Sequence, residues 1–449
     1  MKPAEKKATL LLSTIYSFRM LGLFMILPIF TLYTHKIEYS TSFLIGVALG
    51  IYGLSQALLQ MIFGVMSDKV GRKPIIIIGL ILFVIGSIIA AMSTSIYGII
   101  LGRAVQGAGA IGSTLTAMVA DVTEEQNRMK AMSMIGMTIG LSFILAIILS
   151  PMLNNIIGLS GIFWLTAIFG LIGILIIIFL IPTPMNHLLH RDSGTVFSDI
   201  SMIIKMKELL RLNYGIFTLH ASLTALFIII PTILTNTLHI LPEHQWILYL
   251  PILILSFIFM IPFIIIAETK KKMKKIFVSS IILLTLTQAL FIITHTNVLL
   301  IAVILTLFFT SFTFLEASLP SLISKISPAG KKGTAMGIYS SMQFLGIFIG
   351  GSFGGIMFHH YGVNGIFLFC LILNVLWVAI AYTMKNPKQL SSLILNLKET
   401  PNDAANQLLN IAGIEDAAIS TEEEIAYLKI NKEIFTYKSL QQLNFINIK

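Results

Sequence analysis

Gly64-Val65-Met66-Ser67-Asp68-Lys69-Val70-Gly71-Arg72-Lys73 is a short polar stretch set between two long apolar runs, and its reading decides the fold. An aspartate and three cations within ten residues do not lie in hydrocarbon, whereas each flanking run has about the twenty apolar residues that carry a helix across a bilayer core. Gly71 permits a tight turn that a Cβ would hinder. The stretch therefore reads as a surface loop joining two membrane-crossing helices, the second and third of the chain.

The rest of the chain repeats that pattern. Its 449 residues are 56% hydrophobic and 11% charged, against roughly a quarter charged in a soluble protein. So few charges cannot build a water-facing surface, and most of the surface must face lipid. Apolar runs begin near Leu10, Ser42, Pro74, Tyr97, Ala131 and Ile162, and again near Asn213, Gln245, Ile276, Asn297, Thr334 and Val363. Twelve crossings are expected, six in residues 1–181 and six in 213–384. A polar cytoplasmic linker, 182–212, carries Pro182, Pro184, His187, Arg191, Asp192 and Lys207, and a tail follows from 385 to 449. If the N-terminus is placed inside, the inner segments hold about 20 Lys and Arg against one, Lys36, in the outer loops. Retained positive charge marks the cytoplasmic side, so both termini are expected there. The basic N-terminus leads into an apolar run without a small-residue cleavage site, which reads as a retained first helix. The net charge of +10 is scattered between apolar segments with no aromatic-interleaved patch, which argues against nucleic acid. The single cysteine, Cys370, lies in an apolar run and leaves no disulfide framework and no thiolate metal site.

The halves echo each other. Arg128-Met-Lys-Ala131-Met132-Ser133-Met-Ile-Gly136 has a counterpart in Lys332-Gly-Thr-Ala335-Met336-Gly337-Ile-Tyr-Ser340, each at the start of the fifth helix of its half. The loop at Asp68 likewise corresponds to the basic loop 269–275. Duplicated six-helix halves related by an axis along the membrane normal are a transporter architecture, with the substrate site between them at mid-membrane.

The stretch from Gly64 to Lys73 resembles, at every defining position, the signature loop of the major facilitator superfamily. The resemblance implies an all-α polytopic membrane fold: twelve transmembrane helices in two pseudo-symmetric halves. Gly64 permits close helix packing, Asp68 suits a neighbouring helix N-terminus, and Arg72 can pair bidentately with a carboxylate. Asp121, at the cytoplasmic end of helix 4, is the expected partner, with Glu124, Glu125 and Arg128 nearby. In the family this cluster latches the halves in the outward-facing state, and the role carries over to Gly64, Asp68, Gly71, Arg72, Asp121 and Arg128. The bland alternative is a solvated basic loop that only fixes topology.

Arg103-Ala-Val-Gln106-Gly107-Ala-Gly109-Ala110 resembles the helix-4 motif of the same family, whose arginine is associated with proton coupling. An arginine within a span costs about 2.5–3.5 kcal/mol on insertion scales and persists where it faces a wet cavity or a partner; a structural clamp is the alternative. Arg19, about ten residues into helix 1, is a second buried cation. Glu316, in Phe314-Leu-Glu316-Ala317-Ser-Leu-Pro320, is the clearest acid within a span. Burial raises a carboxyl pKa and a nearby arginine lowers it, so Glu316 is the expected proton carrier, with Arg103 and Arg19 in the coupling set. A static pair to Arg19 or to a loop cation is the alternative, and His220 in helix 7 is a second titratable candidate. Phe24, Tyr52, Gln56, Gln60, Tyr339 and Gln343 are the expected lining of the substrate cavity, an adaptable and weakly polar surface.

Further stretches (Ser17-Phe18-Arg19-Met20-Leu21-Gly22, Gly50-Ile-Tyr52-Gly53-Leu-Ser-Gln56 and Ser327-Pro-Ala-Gly330-Lys-Lys-Gly333) resemble the drug:proton antiporter branch. One feature departs from it. The helix-5 motif should read glycine–proline and then paired glycines, but Gly140 is followed distantly by Ser150-Pro151-Met152. The departure bears on antiport, not on transport.

In the tail, residues 391–398, 417–421, 425–431 and 445–448 read as strands and 401–412 and 435–443 as helices. That βαββαβ order is ferredoxin-like. The tail resembles a small domain appended to some members of the family, and through it metal-chaperone folds, but it has no cysteine. It is expected to regulate, to dimerise or to brace the cytoplasmic face. The leading functional expectation is proton-driven export of small amphipathic molecules or drugs across the inner membrane. No cofactor is expected, the proton gradient supplying the energy, and the expected partners are lipid, a small-molecule substrate and protons. Proton-coupled uptake of a metabolite or nutrient is the first alternative. The second is a transporter-like sensor acting through the tail, with a homo-oligomer or a docked partner left open. No nucleophile–base arrangement and no P-loop supports an enzyme.

Overall fold

The computed structural model describes residues 1–33, 37–181, 197–294, 296–386, 390–401, 403–421, 424–431, 434–443 and 445–446. Lys36 and residues 182–196 of the central linker lie outside the described residues. The helices are α1 (Pro3–Phe24), α2 (Phe30–Tyr33), α3 (Ser42–Val70), α4 (Arg72–Met92), α5 (Ile96–Ala108), α6 (Gly112–Asp121) and α7 (Glu125–Phe179) in the first half. After α8 (Phe197–Lys205) come α9 (Lys207–Asn236), α10 (Gln245–Thr269), α11 (Met273–Ile293), α12 (Val298–Ile326) and α13 (Lys332–Tyr382). Eight of these helices are long and apolar enough to cross a membrane. The long helices α7 and α13 each contain one residue with non-helical backbone, Gly158 (φ 68°) and Gly362 (φ 63°), and so fold back as two crossings apiece. Both sit in the left-handed region that glycine enters without a Cβ penalty. Helix 1 (α1) carries its own charges and helix 4 is split into α5 and α6. With these counted, twelve crossings are made among the described residues. Helix 7 begins at Lys207, earlier than hydropathy suggests, because Leu209 and Leu212 are buried and Arg211 pairs with Glu208.

Large side chains such as Ile156, Phe179, Leu101 and Leu286 stay exposed around the outside, the surface expected where lipid replaces water as solvent. The largest buried cluster runs from Met20 on α1 to Trp377 on α13 and so spans both halves. What brings the halves together is a glycine seam between α3 and α13. A Cβ at Gly50 would stand 2.7 Å from the Phe348 carbonyl oxygen, and one at Gly355 would stand 2.6 Å from that of Ser42. Backbones this close leave no room for a side chain. The seam starts at the end of α3 away from its basic loop. It continues to the hydrogen bond from Ser341 Oγ to the Ala57 carbonyl, 3.0 Å.

The tail forms an antiparallel sheet in the order β1 (Leu390–Asn396), β3 (Ile425–Asn431), β2 (Ile414–Ser420), with α14 (Ala404–Leu409) between β1 and β2. An antiparallel bridge from Leu397 to Ile446 sets the last segment beside β1, on the side away from β3. That arrangement is ferredoxin-like. The expected helix over 435–443 is a 3-10 helix limited to Tyr437–Gln442, flanked by Thr436 and Leu443 in extended conformation. Six of the seven β3 residues are buried, on both faces of the sheet. One face covers Leu408 and Phe445; the other meets the loop after α12, where Tyr427 packs beside Ala329. Asp416 Oδ2 accepts the Ala329 N–H at 2.8 Å, and Lys429 Nζ donates to the Ser324 carbonyl at 2.7 Å.

The seam makes a signed prediction. A glycine-to-alanine change inside an exposed helix stabilises it by up to about 1 kcal/mol. Gly50→Ala should instead destabilise the detergent-solubilised protein by about 1–3 kcal/mol, since overpacking meets backbone. Gly136→Ala, where a Cβ meets nothing within 4 Å, should not. Equal melting temperatures for the two variants would remove the seam as the contact that spaces the halves.

Candidate functional site between the halves

In the first half, a polar seam runs through the apolar interior. Arg19 on α1 is fully buried and donates from Nη2 to Gln56 Oε1 at 2.9 Å and to the Tyr52 hydroxyl at 3.3 Å. Gln56 Nε2 passes the chain on to Gln60 Oε1, 3.1 Å away. Tyr52, Gln56 and Gln60 are spaced by four and so line one stripe of α3. Arg103 on α5 lies over the Tyr52 ring, 4.7 Å from its centroid, and donates to Gln106 Oε1 at 2.7 Å. Gln106 Nε2 in turn donates to Ser87 Oγ on α4 at 2.8 Å. Tyr52 thus ties the two arginines together, by its hydroxyl and by its ring face, a cation–π contact that gains strength when desolvated. Among the described residues neither arginine makes an ion pair. Nε and Nη1 of Arg19 and Nε and Nη2 of Arg103 are buried without a hydrogen-bond partner.

In the second half, the titratable groups meet. His220 Nε2 on α9 lies 3.0 Å from Glu316 Oε2 on α12 and 2.8 Å from Gln343 Nε2 on α13. Gln343 Nε2 also donates to Glu316 Oε1 at 3.3 Å. The His220 side chain is 4% exposed and that of Glu316 is 34% exposed, so the imidazole is enclosed and the carboxylate keeps an open side. Glu316 therefore pairs with His220, and not with Arg19 or a loop cation. Tyr339, one turn before Gln343, is buried.

Aromatic rings join the two polar sets across the interface. Phe143 on α7 stands 6.1 Å from Phe309 and 6.2 Å from Phe312 on α12, and 5.0 Å edge-on from Phe24 on α1. Phe312 lies 5.8 Å from the His220 ring. Of the lining residues expected from sequence, Tyr52, Gln56 and Gln60 fall together on the arginine seam, Gln343 on the acidic cluster and Phe24 among the rings. Sequence reasoning missed Ser87, Phe143, Phe309 and Phe312. Nothing in the hydropathy distinguishes those phenylalanines from lipid-facing ones. The pairing Gln106–Ser87 had a signal: a glutamine three residues after an intramembrane arginine needs partners of its own.

The basic-loop cluster closes on itself. Arg72 Nε donates to Asp121 Oδ2 at 3.0 Å, while its Nη1 donates to Ser67 Oγ at 2.7 Å and pairs with Asp68. Ser67 Oγ donates to the Gly64 carbonyl at 2.6 Å. Gly71, at φ 104°, caps α3 and begins α4. All of these residues belong to the first half, so Asp68 holds Arg72 and not a helix N-terminus of the second half. Arg128 falls in the first turn of α7, and its side chain lies outside the described ones.

Comparison with known proteins bears on the family and the fold. The profile of the Major Facilitator Superfamily matches residues 12–351 and 274–404. The inner membrane transport protein YajR of Escherichia coli K12 is 43% identical over 98% of this chain and 98% of its own length. The class H tetracycline resistance protein of Pasteurella multocida is 30% identical over 31% of this chain and 34% of its own. The crystal structure of a bacterial homologue of the human lysosomal transporter Spinster, inward-facing and occupied, superposes with a TM-score of 0.70. It covers 85% of this chain and 97% of that one at 12% identity, a likeness of fold. The chain is a multi-pass membrane transporter and belongs to the major facilitator superfamily.

Proposed function

We propose that this chain is a proton-coupled secondary transporter that exports small amphipathic molecules from the cytoplasm, with its basic face and both termini inside. The observation that carries the reading is the cluster of His220, Glu316 and Gln343 beside rings contributed by both halves. An ionisable pair within a span is costly and persists where it does work. A carboxylate and an imidazole in contact offer one proton a choice of two sites, and Gln343 holds both groups in place. The open side of Glu316 lets a proton or a cationic group reach it. The phenylalanines supply an apolar body for the cargo. Residues 182–206 act as the linker between the halves, 207–212 being the first turns of helix 7, and 385–449 act as an appended cytoplasmic domain.

Transport needs the halves to rock. The seam of α3 and α13 closes the face opposite the basic loops. In this arrangement Arg72 is shared between Asp68 and Asp121. When the seam opens, Asp68 is free to turn from Arg72 to the N-terminus of α13, which holds the basic face shut. The tetracycline-resistance relative supports export as the direction. A second reading, signalling through the tail, is favoured by the grip of Lys429 on the last turn of α12 and of Asp416 on the loop after it.

In proteoliposomes under an imposed proton gradient, lipophilic cations, antibiotics and sugars are added in turn while lumenal pH is recorded. Substrate-triggered proton movement is expected in the wild type and not in Glu316→Gln. His220→Gln should keep transport and shift its pH dependence, because the second proton site is lost. A Glu316→Gln protein that still exchanges protons for substrate would end the assignment of the proton carrier. Asp68→Asn and Arg72→Ala should each slow transport at least tenfold with the protein still folded; unchanged rates would end the role given to the basic-loop cluster.

A further inference from the structure

Helix 4 does not cross the membrane whole. It stops at Ala108 and restarts at Gly112, with Gly109 (φ −70°, ψ 54°) and Ile111 (φ −92°, ψ 6°) outside helical geometry. The first helical hydrogen bond of α6 is donated by Leu115 to the Ile111 carbonyl at 2.8 Å. The N–H groups of Gly112, Ser113 and Thr114 therefore have no acceptor within the helix, and the positive end of the α6 dipole sits inside the protein. Three polar side chains surround the same point. From the position a Cβ would take on Gly112, the Tyr16 hydroxyl is 3.3 Å away, Arg19 Nη1 3.7 Å and Gln56 Nε2 3.8 Å. Gly112 thus leaves a gap where a methyl group would otherwise stand. Arg19 is fully buried, and its Nη1 and Nε are the two atoms with no partner, while Nη2 is held by Tyr52 and Gln56. A helix N-terminus and an unpaired guanidinium converge on one cradle with no described acid among its walls.

We propose that this break is a binding site for a singly charged oxyanion, and that its occupant is a carboxylate on the transported molecule. The charge arithmetic selects the class. One guanidinium and about half an elementary charge from the helix end balance one negative charge, not two. The donor geometry agrees: Arg19 Nη1, at the edge of the gap and without a partner, is free to donate a charge-assisted hydrogen bond to one carboxylate oxygen. Backbone N–H groups at a helix start then bind the remaining lone pairs. The occupant also relieves donors that are otherwise buried without an acceptor. This inference rests on the reading of the space between the halves as a transport site, and it adds the anionic end of the cargo to the proton-bearing end at Glu316.

The test is direct binding to the full-length, detergent-purified protein, so it does not depend on transport. The probes are benzoate, its neutral isostere benzamide, inorganic phosphate and chloride. Gly112→Ala is the decisive variant. Its methyl group meets only side-chain atoms at 3.3 Å or more, so it should fold with an unliganded melting temperature close to the wild type while filling the cradle. Benzoate is expected to bind wild type and benzamide is not. Gly112→Ala and Arg19→Gln should each weaken benzoate at least about tenfold, the loss of one charge-assisted contact. Benzoate binding equally to wild type and both variants overturns the proposal, as does failure of every anion to bind. Phosphate or chloride binding through Gly112 and Arg19 without benzoate overturns the carboxylate assignment. Carboxylate binding lost in both variants, in a protein that moves no solute, supports the site and defeats the transport reading instead.

Discussion

Hydrocarbon supplies no hydrogen-bond partner, so every polar group carried into a span has to find one inside the protein. That constraint orders the space between the halves. Arg19, Gln56 and Gln60 form a relay because each donor would otherwise be orphaned. Gln106 turns its two ends to Arg103 and Ser87 for the same reason. Where the relay runs out, at the free nitrogens of Arg19 and at the start of α6, the donors share a cradle. Arg19 Nε and Nη1 are left there without a partner, and unsatisfied donors cost more in low dielectric than in water.

The second constraint is distance. Polar side chains on α3 and α5 meet because glycine lets these helices approach to backbone contact. Gly107 brings α5 against the backbone of Tyr52, and Gly50 brings α3 against Phe348. The same approach carries Gln343 to the flank of α9, where Gly346 and Gly350 abut Phe217 and Ala221. Small residues thus set the spacing, and the polar groups read it out. A methyl group in either seam would move groups that it does not touch.

Much of this could be read along the chain, for reasons that also explain what could not. The basic loops, the span lengths and the echo between Arg128 and Lys332 are local properties, and they reported the twelve crossings. The loop from Gly64 to Lys73 and the motif at Arg103 carried the family. Glu316 stood out because a carboxylate in a span is rare. Its partner did not: His220 lies 96 positions away, and hydropathy says which face a residue takes but not what faces it. Tyr52, Gln56 and Gln60 were recognisable as one polar stripe, whereas the arginine at its end was not. The break of helix 4 was hidden as well, since the small residues around Gly107 and Gly109 are equally compatible with a continuous, closely packed helix. What betrays the break is a missing run of backbone hydrogen bonds, which no side-chain pattern records. In the tail, alternation located the strands, and the short 3-10 helix was overread because the apolar residues around it belong to the sheet's core.

The two polar sets sit on opposite halves, and under the proposed proton coupling their charges would decide what kind of exchange each cargo permits. Glu316 and His220 belong to the second half, and the donors around Gly112 to the first. A cargo with only a negative charge is repelled by an ionised Glu316 and binds better once that carboxylate is protonated, so proton and cargo favour each other and travel together. A cargo that also carries an ammonium group competes with the proton for Glu316, and the two then exclude each other and exchange. Same-site competition of that kind gives antiport without the helix-5 glycine pair that this chain lacks. The aromatic rings of Phe143, Phe309 and Phe312 lie against the second half's cluster and suit an apolar body joining such charges. In the proposed transporter the direction of coupling is thus a property of the cargo's charge pattern as much as of the protein.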